Sequence, residues 1–579
     1  MRSRKTRMSP EPAVDVPAED AAEAADDGDV SPLLGDGQGS DPAPEPAQGP
    51  VCRVRAFYER LSTTFSWRYV AIVSLVYGVN QGVGEACLFT AQKYYLFDDL
   101  KLTPTRYSKV DGFANIPWQV KALFGMASDS FSICGLRKTP YIILASIGGI
   151  VSAASLWLAP IASYQSAALL LVLANLSIAS PDVMIDGTTA ENSRKHPHLA
   201  ADLQTLSWSS LYACAMVANL AVGELVKPSS IGARGVFGLL WVTSLAALIP
   251  ACLGWLGERP SVIEEASVKT KSDRKRVFAC ALATCTISVT VGSLQAFSTY
   301  SDLVQGVATI ILGVALACTI HCLLKPVSKD LAGAAVYIFL SGALQPGTDV
   351  MFAWFHSDGK VDGNCSSRCP VHDKECGWAY ERDYPCITPE YYAAMRSTAR
   401  GFGLAGIVLY NAYFSDWKYR DVFVLGHSMT FAANLLDVVW VSRWNVALGV
   451  DDRAFLLGVD VVQPVIAKIA HLPSYVLAAK VCPAGVEATL FALLMGLSNF
   501  GSTIGLYNGV FLLSAFGGVE QPEFRNLPQY VLARTVSYLA PVALVFVFVP
   551  RGRPSDPTPE EADEKGEVEL TAIEDVAIV

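Results

Sequence analysis

Apolar residues along this chain gather into long runs separated by short polar stretches. Fourteen runs stand out, near 68–90, 111–130, 140–160, 164–187, 201–225, 235–256, 276–297, 302–324, 330–356, 391–414, 418–443, 451–480, 484–516 and 527–550. A bilayer crossing takes about 20 mostly apolar residues, and each run is long enough. Backbone groups in lipid must be paired within their own segment, so the runs predict helices rather than strands. The expected fold is an all-α polytopic membrane protein. An even number of crossings places both termini on one side.

The polar stretches orient the crossings. Arg53, Arg55, Arg60 and Arg68 flank the first run, and Arg137 and Lys138 precede the third. Lys269, Lys271, Arg274, Lys275 and Arg276 precede the seventh, Lys418 and Arg420 the eleventh, and Arg551 and Arg553 follow the last. All fall on one side, which the excess of positive charge makes cytoplasmic. Lys93, Lys101, Arg106 and Lys109, around the first outer loop, run against this assignment.

Composition excludes several classes. Hydrophobic residues make up 52% of the 579 and charged residues 17%, with a mean hydropathy of +0.34. Soluble chains carry about 25% charged residues. A nucleic-acid binder, a secreted disulfide scaffold and an ordinary cytosolic enzyme are ruled out. The formal charge of −10 also lacks a nucleic-acid footprint, although much of the acid sits in the tails. Residues 1–66 and 551–579 read as disordered cytoplasmic tails. The N-terminal tail has no apolar signal-peptide core and is too acidic for a transit peptide. Its Asp29-Val-Ser-Pro-Leu33-Leu34 resembles an acidic dileucine sorting signal, against a chance match in a low-complexity stretch.

Four of the 14 cysteines, Cys365, Cys369, Cys376 and Cys386, crowd into one hydrophilic loop, 357–390. The orientation places that loop outside or in a lumen, where disulfides persist. Sequence leaves all three pairings open. Zinc is the competing reading, opposed by irregular spacing and an oxidising side. Asn364-Cys-Ser366 is a glycosylation sequon on the same side.

An internal echo divides the chain. The second run ends in Ser128-Asp129, followed by Gly135-Leu-Arg137-Lys138; the tenth ends in Ser415-Asp416, followed by Lys418-Tyr-Arg420. Transporter folds are built from such repeats, with substrate held between the halves. Residues 67–256 and 330–550 are therefore expected to be two six-helix bundles, and 257–329 a cytoplasmic loop with an inserted central helix pair. That pair carries almost no ionisable residue, which suits lipid-facing packing.

The stretch Gly125-Met-Ala-Ser-Asp129 with Gly135-Leu-Arg137-Lys138 resembles the loop signature of the major facilitator superfamily, with a longer spacing after the Asp. Pro117-Trp-Gln-Val-Lys121, Ser180-Pro-Asp182-Val-Met-Ile-Asp186-Gly and the string from Cys482 through Glu487 to Asn499 resemble the folate–biopterin transporter family. Leu435-Leu-Asp437-Val-Val-Trp-Val-Ser-Arg443-Trp-Asn445 is similar to its protozoan and algal branch. The resemblance covers about residues 67–550. It implies carriage of folates or unconjugated pterins coupled to protons, and some members carry other solutes such as S-adenosylmethionine. It calls for no cofactor, no metal and no nucleic acid, and for a monomer in the bilayer.

Charges inside the runs cost about 2.5–3.5 kcal/mol each on insertion scales, so each needs a reason. Gln81 and Glu85 lie one turn apart, with Gly78 and Gly82 on a related face for close helix approach. Trp118 and Lys121 share a face, suited to a flat ring and an anionic tail. Asp182 and Asp186 also share a face; either can bond the donor edge of a pterin or carry the coupling proton. Asp349 follows a helix break at Gln345-Pro346-Gly347. Arg396 and Arg400 can fork onto carboxylates. Asp460, Gln463 and Lys468 complete the candidate substrate set. The competing reading is internal pairing: Lys121 with a nearby acid, Asp182 and Asp186 with Arg194, and Arg400 or Lys468 with Asp349, Asp437 or Asp460. Asp129, Arg137, Lys138, Asp416 and Glu487 read as gating residues, with Glu487 meeting the loops at Asp129 and Arg137. An enzyme is disfavoured because no HExxH or G-x-S-x-G element is present. A channel is disfavoured because single charges of both signs replace a repeated ring. A non-transporting sensor stays open, as does the membrane: plasma, endosomal or vacuolar, with the plastid envelope behind them.

Overall fold

The computed structural model describes residues 50–161, 163–196, 199–258, 268–356, 385, 387–480, 487–517, 524, 526–554 and 556. The tails before residue 50, the dileucine-like sequence, Asn364 and the four loop cysteines lie outside them, as do the side chains of Asp129, Arg194 and Glu487. The chain from Arg55 onward clusters as one packed unit; Met1–Val54 is a second, described only at Pro50–Val54.

Regular structure among the described residues is helical. In chain order the helices are α1 (Pro50–Phe65), α2 (Trp67–Asp99), α3 (Pro104–Ala114), α4 (Ile116–Gln119), α5 (Lys121–Ser130), α6 (Thr139–Leu158) and α7 (Tyr164–Lys195). There follow α8 (Ala200–Leu225), α9 (Gly232–Cys252), α10 (Val268–Phe297), α11 (Asp302–Leu324), α12 (Lys329–Ala343), α13 (Val350–His356) and α14 (Pro389–Tyr413). Last come α15 (Tyr419–Val441), α16 (Trp444–Ala447), α17 (Asp452–Lys480), α18 (Glu487–Ala515), α19 (Leu527–Ser537) and α20 (Ala540–Phe548). Side-chain caps mark several starts. Thr103, Ser163, Ser328 and Thr388 each accept a backbone N–H three residues on, and proline follows Thr103 and Thr388 directly.

Eleven of these segments are long and apolar enough to cross a bilayer unaided. Three predicted runs are not among them. The run 111–130 is broken into α3, α4 and α5 around Pro117, with Asn115 and Val120 out of helical geometry. The run 330–356 breaks between α12 and α13 at the predicted Gln345-Pro346-Gly347. The run 391–414 forms one helix, α14, but carries Arg396 and Arg400.

In the first half α6 packs on α7 and α9, and α2 on α8 and α9; in the second, α14 packs on α17, α15 on α17 and α19, and α12 on α18 and α20. Between halves, α8 meets α14, and α3, α4 and α5 meet α18. A Cβ at Gly82 would sit 2.8 Å from the Leu211 carbonyl oxygen, so this glycine does admit α8 closely.

The central pair, α10 and α11, is not merely lipid-facing. Val304, Val307, Ile310, Ile311 and Val314 of α11 are exposed, as expected of a lipid face. The opposite side is polar and bonded. Lys109 Nζ reaches Asp302 Oδ1 at 2.5 Å and Gln305 Oε1 at 2.8 Å, and the Ser288 hydroxyl donates to Gln119 Oε1. Lys109 therefore lies buried inside α3, and Lys93 lies inside α2 rather than in an outer loop. Two of the four cations that opposed the predicted orientation are committed to ion pairs with other helices and are poor markers of sidedness.

Glu258, just past α9, secures the turn before α6. Its carboxylate accepts from the backbone N–H of Arg137 at 2.5 Å, Lys138 at 2.9 Å and Thr139 at 3.0 Å, and from the Thr139 hydroxyl at 2.9 Å. Burial pushes this carboxyl up, but the backbone N–H groups of Thr139, Arg137 and Lys138 outweigh it and hold it below the usual glutamate range. A depressed folded value means the stabilisation is present above the unfolded pKa and is lost as pH falls through the folded one. Glu258→Ala is expected to cost about 1–2 kcal/mol at neutral pH, the worth of a good helix cap. Thermal melts in detergent should show the gap between variant and parent closing as the pH is lowered through the carboxylate range.

Candidate functional site

The first wall of the site is built on the broken helix. Interrupting the run at Pro117 turns Trp118 and Lys121 toward α7. Lys121 Nζ lies 2.5 Å from Asp182 Oδ2 and 4.6 Å from the Trp118 ring centroid. Trp118 Nε1 donates to Asn175 Oδ1 at 3.0 Å. One turn beyond Asp182, Asp186 accepts from the Tyr77 hydroxyl of α2. Of the two readings of Lys121, the internal pair is present, and its partner is Asp182. A lone ammonium or carboxylate at this depth would be costly, and the pair with its flanking ring offsets that cost.

The second wall comes from α14 and α17 and touches the first. Gln81 Nε2 donates to Glu85 Oε1 at 3.2 Å, and Arg400 Nη2 lies 3.4 Å from Glu85 Oε2, across the two halves. Tyr212 of α8 sits beneath two cations, with Lys468 Nζ 5.3 Å and the Arg400 guanidinium 6.0 Å from its ring. Arg396 is exposed, with Tyr392, Asp460 and Asp349 of the second half and Tyr107 of the first among its neighbours. Oδ2 of Asp460 is buried with no hydrogen-bond partner.

Two candidates are held by partners outside the predicted set. Asp349 is held by Lys93 at 2.5 Å, with the ammonium 4.7 Å from the Phe352 ring centroid. Gln463 donates to Asp437 Oδ1 at 3.1 Å, and Arg534 takes Asp437 Oδ2 at 2.6 Å. Asp349 and Asp437, expected to neutralise Arg400 or Lys468, are thus occupied by Lys93 and Arg534. Arg400 pairs with Glu85 instead. Among the described residues no acid lies within ion-pair distance of Lys468 or Arg396.

The gating set is only partly drawn together. Lys138 Nζ pairs with Glu191 at 2.6 Å, within its own half, and Arg137 and Lys138 give their backbone N–H groups to Glu258. Asp416 and Arg553 approach to 3.9 Å at an exposed position. At the end predicted to face outward the halves are tied by Lys93–Asp349, by His356 with Asp98 at 2.9 Å, and by Lys227 with Glu390. No group of three metal-ligating side chains occurs among the described residues.

Tyr77, Asn175, Tyr212 and Lys93 escaped the sequence reading. Tyrosine and asparagine in an apolar run carry no charge to flag them, and Lys93 sits where the first apolar run gives way to polar residues, so by sequence it resembles a loop cation.

Comparisons with known proteins bear on the family and the fold. Residues 81–569 match the family described as the BT1 family. The chain is 28% identical over 537 residues to a probable folate-biopterin transporter of Arabidopsis thaliana, covering 91% of this chain and 94% of the relative. It is 25% identical over 493 residues to the folate-biopterin transporter of Synechocystis, covering 84% and 83%. A solved POT family transporter in complex with a thioalcohol-conjugated peptide superposes with a TM-score of 0.59 at 12% identity, covering 83% of this chain and 95% of that one. That likeness establishes the major facilitator type of fold and nothing about cargo.

Proposed function

The chain belongs to the BT1 family, and from that premise we propose that it is a secondary active, proton-coupled carrier of folates or biopterin-type pterins, working by alternating access. It is a multi-pass membrane protein whose relatives are transporters. The observation that carries the cargo assignment is the Trp118 ring beside the Lys121–Asp182 pair on a broken helix. A pterin is a flat ring whose amino and ring N–H groups match a carboxylate, and an indole offers it a stacking face.

Coupling follows from the pairs. Protonating Asp182 would release Lys121, and protonating Glu85 would release Arg400 from the bridge between the halves. A bond present in one state and absent in the other biases the rocking equilibrium. The ties at the outward end, Lys93–Asp349 among them, would break on opening to that side. The carrier acts as a monomer in a plasma, endosomal or vacuolar membrane.

Counterflow into proteoliposomes loaded with unlabelled folate or biopterin tests the cargo. Labelled substrate is expected to accumulate, and to do so faster at an outside pH of about 5.5 than at 7.5. A flat response across that range would remove the proton from the mechanism. Exchange of S-adenosylmethionine in place of either pterin would reassign the cargo. Binding without exchange would make the protein a sensor.

A further inference from the structure

The two walls of the site carry opposite charge. Glu85, Asp182 and Asp186 stand against Lys121 alone in the first half, which leaves that wall two charges negative. In the second, Asp349 is neutralised by Lys93, and Arg396, Arg400 and Lys468 then stand against Asp460, which leaves that wall two charges positive. The walls cancel each other at one contact, Glu85 with Arg400. Lys121 is committed to Asp182.

Arg396 and Lys468 remain without an acid at ion-pair distance among the described residues, and each has a tyrosine of the first half beside it, Tyr107 and Tyr212 respectively. Lys468 lies over Tyr212, which the first half supplies. Arg396 is exposed and sits one turn before Arg400 on α14, about 6 Å along the axis. An unpaired cation inside a membrane protein is expensive unless something anionic arrives to meet it.

Building on the pterin reading above, we propose that the site takes a conjugated pterin with a fixed polarity. The planar, donor-bearing head lies against Trp118, Asp182 and Asp186 of the first half. A dianionic tail spans to Arg396 and Lys468 of the second. Folate has such a tail in its glutamyl group; biopterin and pteroate do not. The second half therefore selects for the tail and the first half for the ring, and only a full-length substrate engages both at once. A ligand that bridges the walls also stabilises their approach, since it has differential contacts with the closed state.

The test compares folic acid with pteroic acid, which lacks the glutamyl group, by equilibrium binding to the purified full-length protein. The parent should prefer folic acid at least tenfold. Arg396→Gln and Lys468→Gln should reduce that preference to within about twofold, while Arg396→Lys and Lys468→Arg retain most of it. Asp182→Asn should weaken both ligands by a similar factor and keep the preference. Equal binding of the two ligands by the parent, or equal weakening of both by the Gln variants, would overturn the polarity and leave the pterin reading standing. Loss of the preference in the charge-retaining variants would also count against it. Binding of neither ligand by the parent would remove the pterin reading and this inference with it.

Discussion

Lys121→Ala is expected to abolish counterflow, a loss of at least 100-fold, and to lower stability by about 3–5 kcal/mol. The ammonium stands 2.5 Å from Asp182, whose side chain is only 5% exposed. Removing one partner of a buried pair leaves the other as an uncompensated charge, and that residual desolvation dominates the cost. The double variant Lys121→Met with Asp182→Leu separates structure from function. Replacing both partners with apolar groups of similar volume is often neutral or stabilising. The double variant should therefore melt near the parent temperature and still fail to exchange substrate. Transport by the double variant would show the pair to be architectural only.

Gly509→Val is expected to cost 3 kcal/mol or more and to eliminate folded protein on size exclusion. A Cβ at Gly509 would lie 2.0 Å from the Gly347 carbonyl oxygen. Gly505 and Gly501 repeat the approach on the same face of α18, 2.5 Å from the Gly342 and 2.3 Å from the Phe339 carbonyl oxygen. These neighbours are backbone atoms, so no side chain can swing aside. Overpacking costs about 1–3 kcal/mol where side chains can adjust, and this face has less room to adjust. The stripe also fixes the break beyond α12, because Gly347 N–H donates to the Gly505 carbonyl at 3.2 Å. Widening the contact would displace Asp349 from Lys93. Gly458→Ala in α17 is the control: nothing lies within 4 Å of its Cβ position, and the change should be neutral or slightly stabilising, by up to about 1 kcal/mol.

Both predictions turn on residues whose weight was unequally visible in the sequence. Lys121 announced itself as a charge in an apolar run. The Gly501, Gly505, Gly509 stripe has the small-residue spacing that brings helices together, but spacing alone does not say that its neighbours are backbone carbonyls rather than side chains that can move. The break at Gln345-Pro346-Gly347 was legible because proline lacks an N–H and clashes with the preceding turn, whereas the run 111–130 reads as continuous and the break around Pro117 appears only in the structure. The central pair was half legible: its apolar outer face is a property of composition, whereas its bonds from Asp302, Gln305 and Ser288 to α3 and α4 are not.

The sequence by itself determined that the chain is a multi-pass membrane protein built of helices, and which side chains in its apolar runs are costly enough to need a partner. These follow from transfer free energies and from the obligation to pair backbone groups, both of which act locally along the chain. Only the tertiary structure decided who pairs with whom. Lys121 and Asp182 are 61 positions apart, and Glu85 and Arg400 are 315 apart. Asp349 and Asp437, reasonable partners for Arg400 by composition, go to Lys93 and Arg534. A charge in lipid requires some partner, but which one it meets depends on how the helices cross, and nothing in the spacing along one helix encodes the face its neighbour presents.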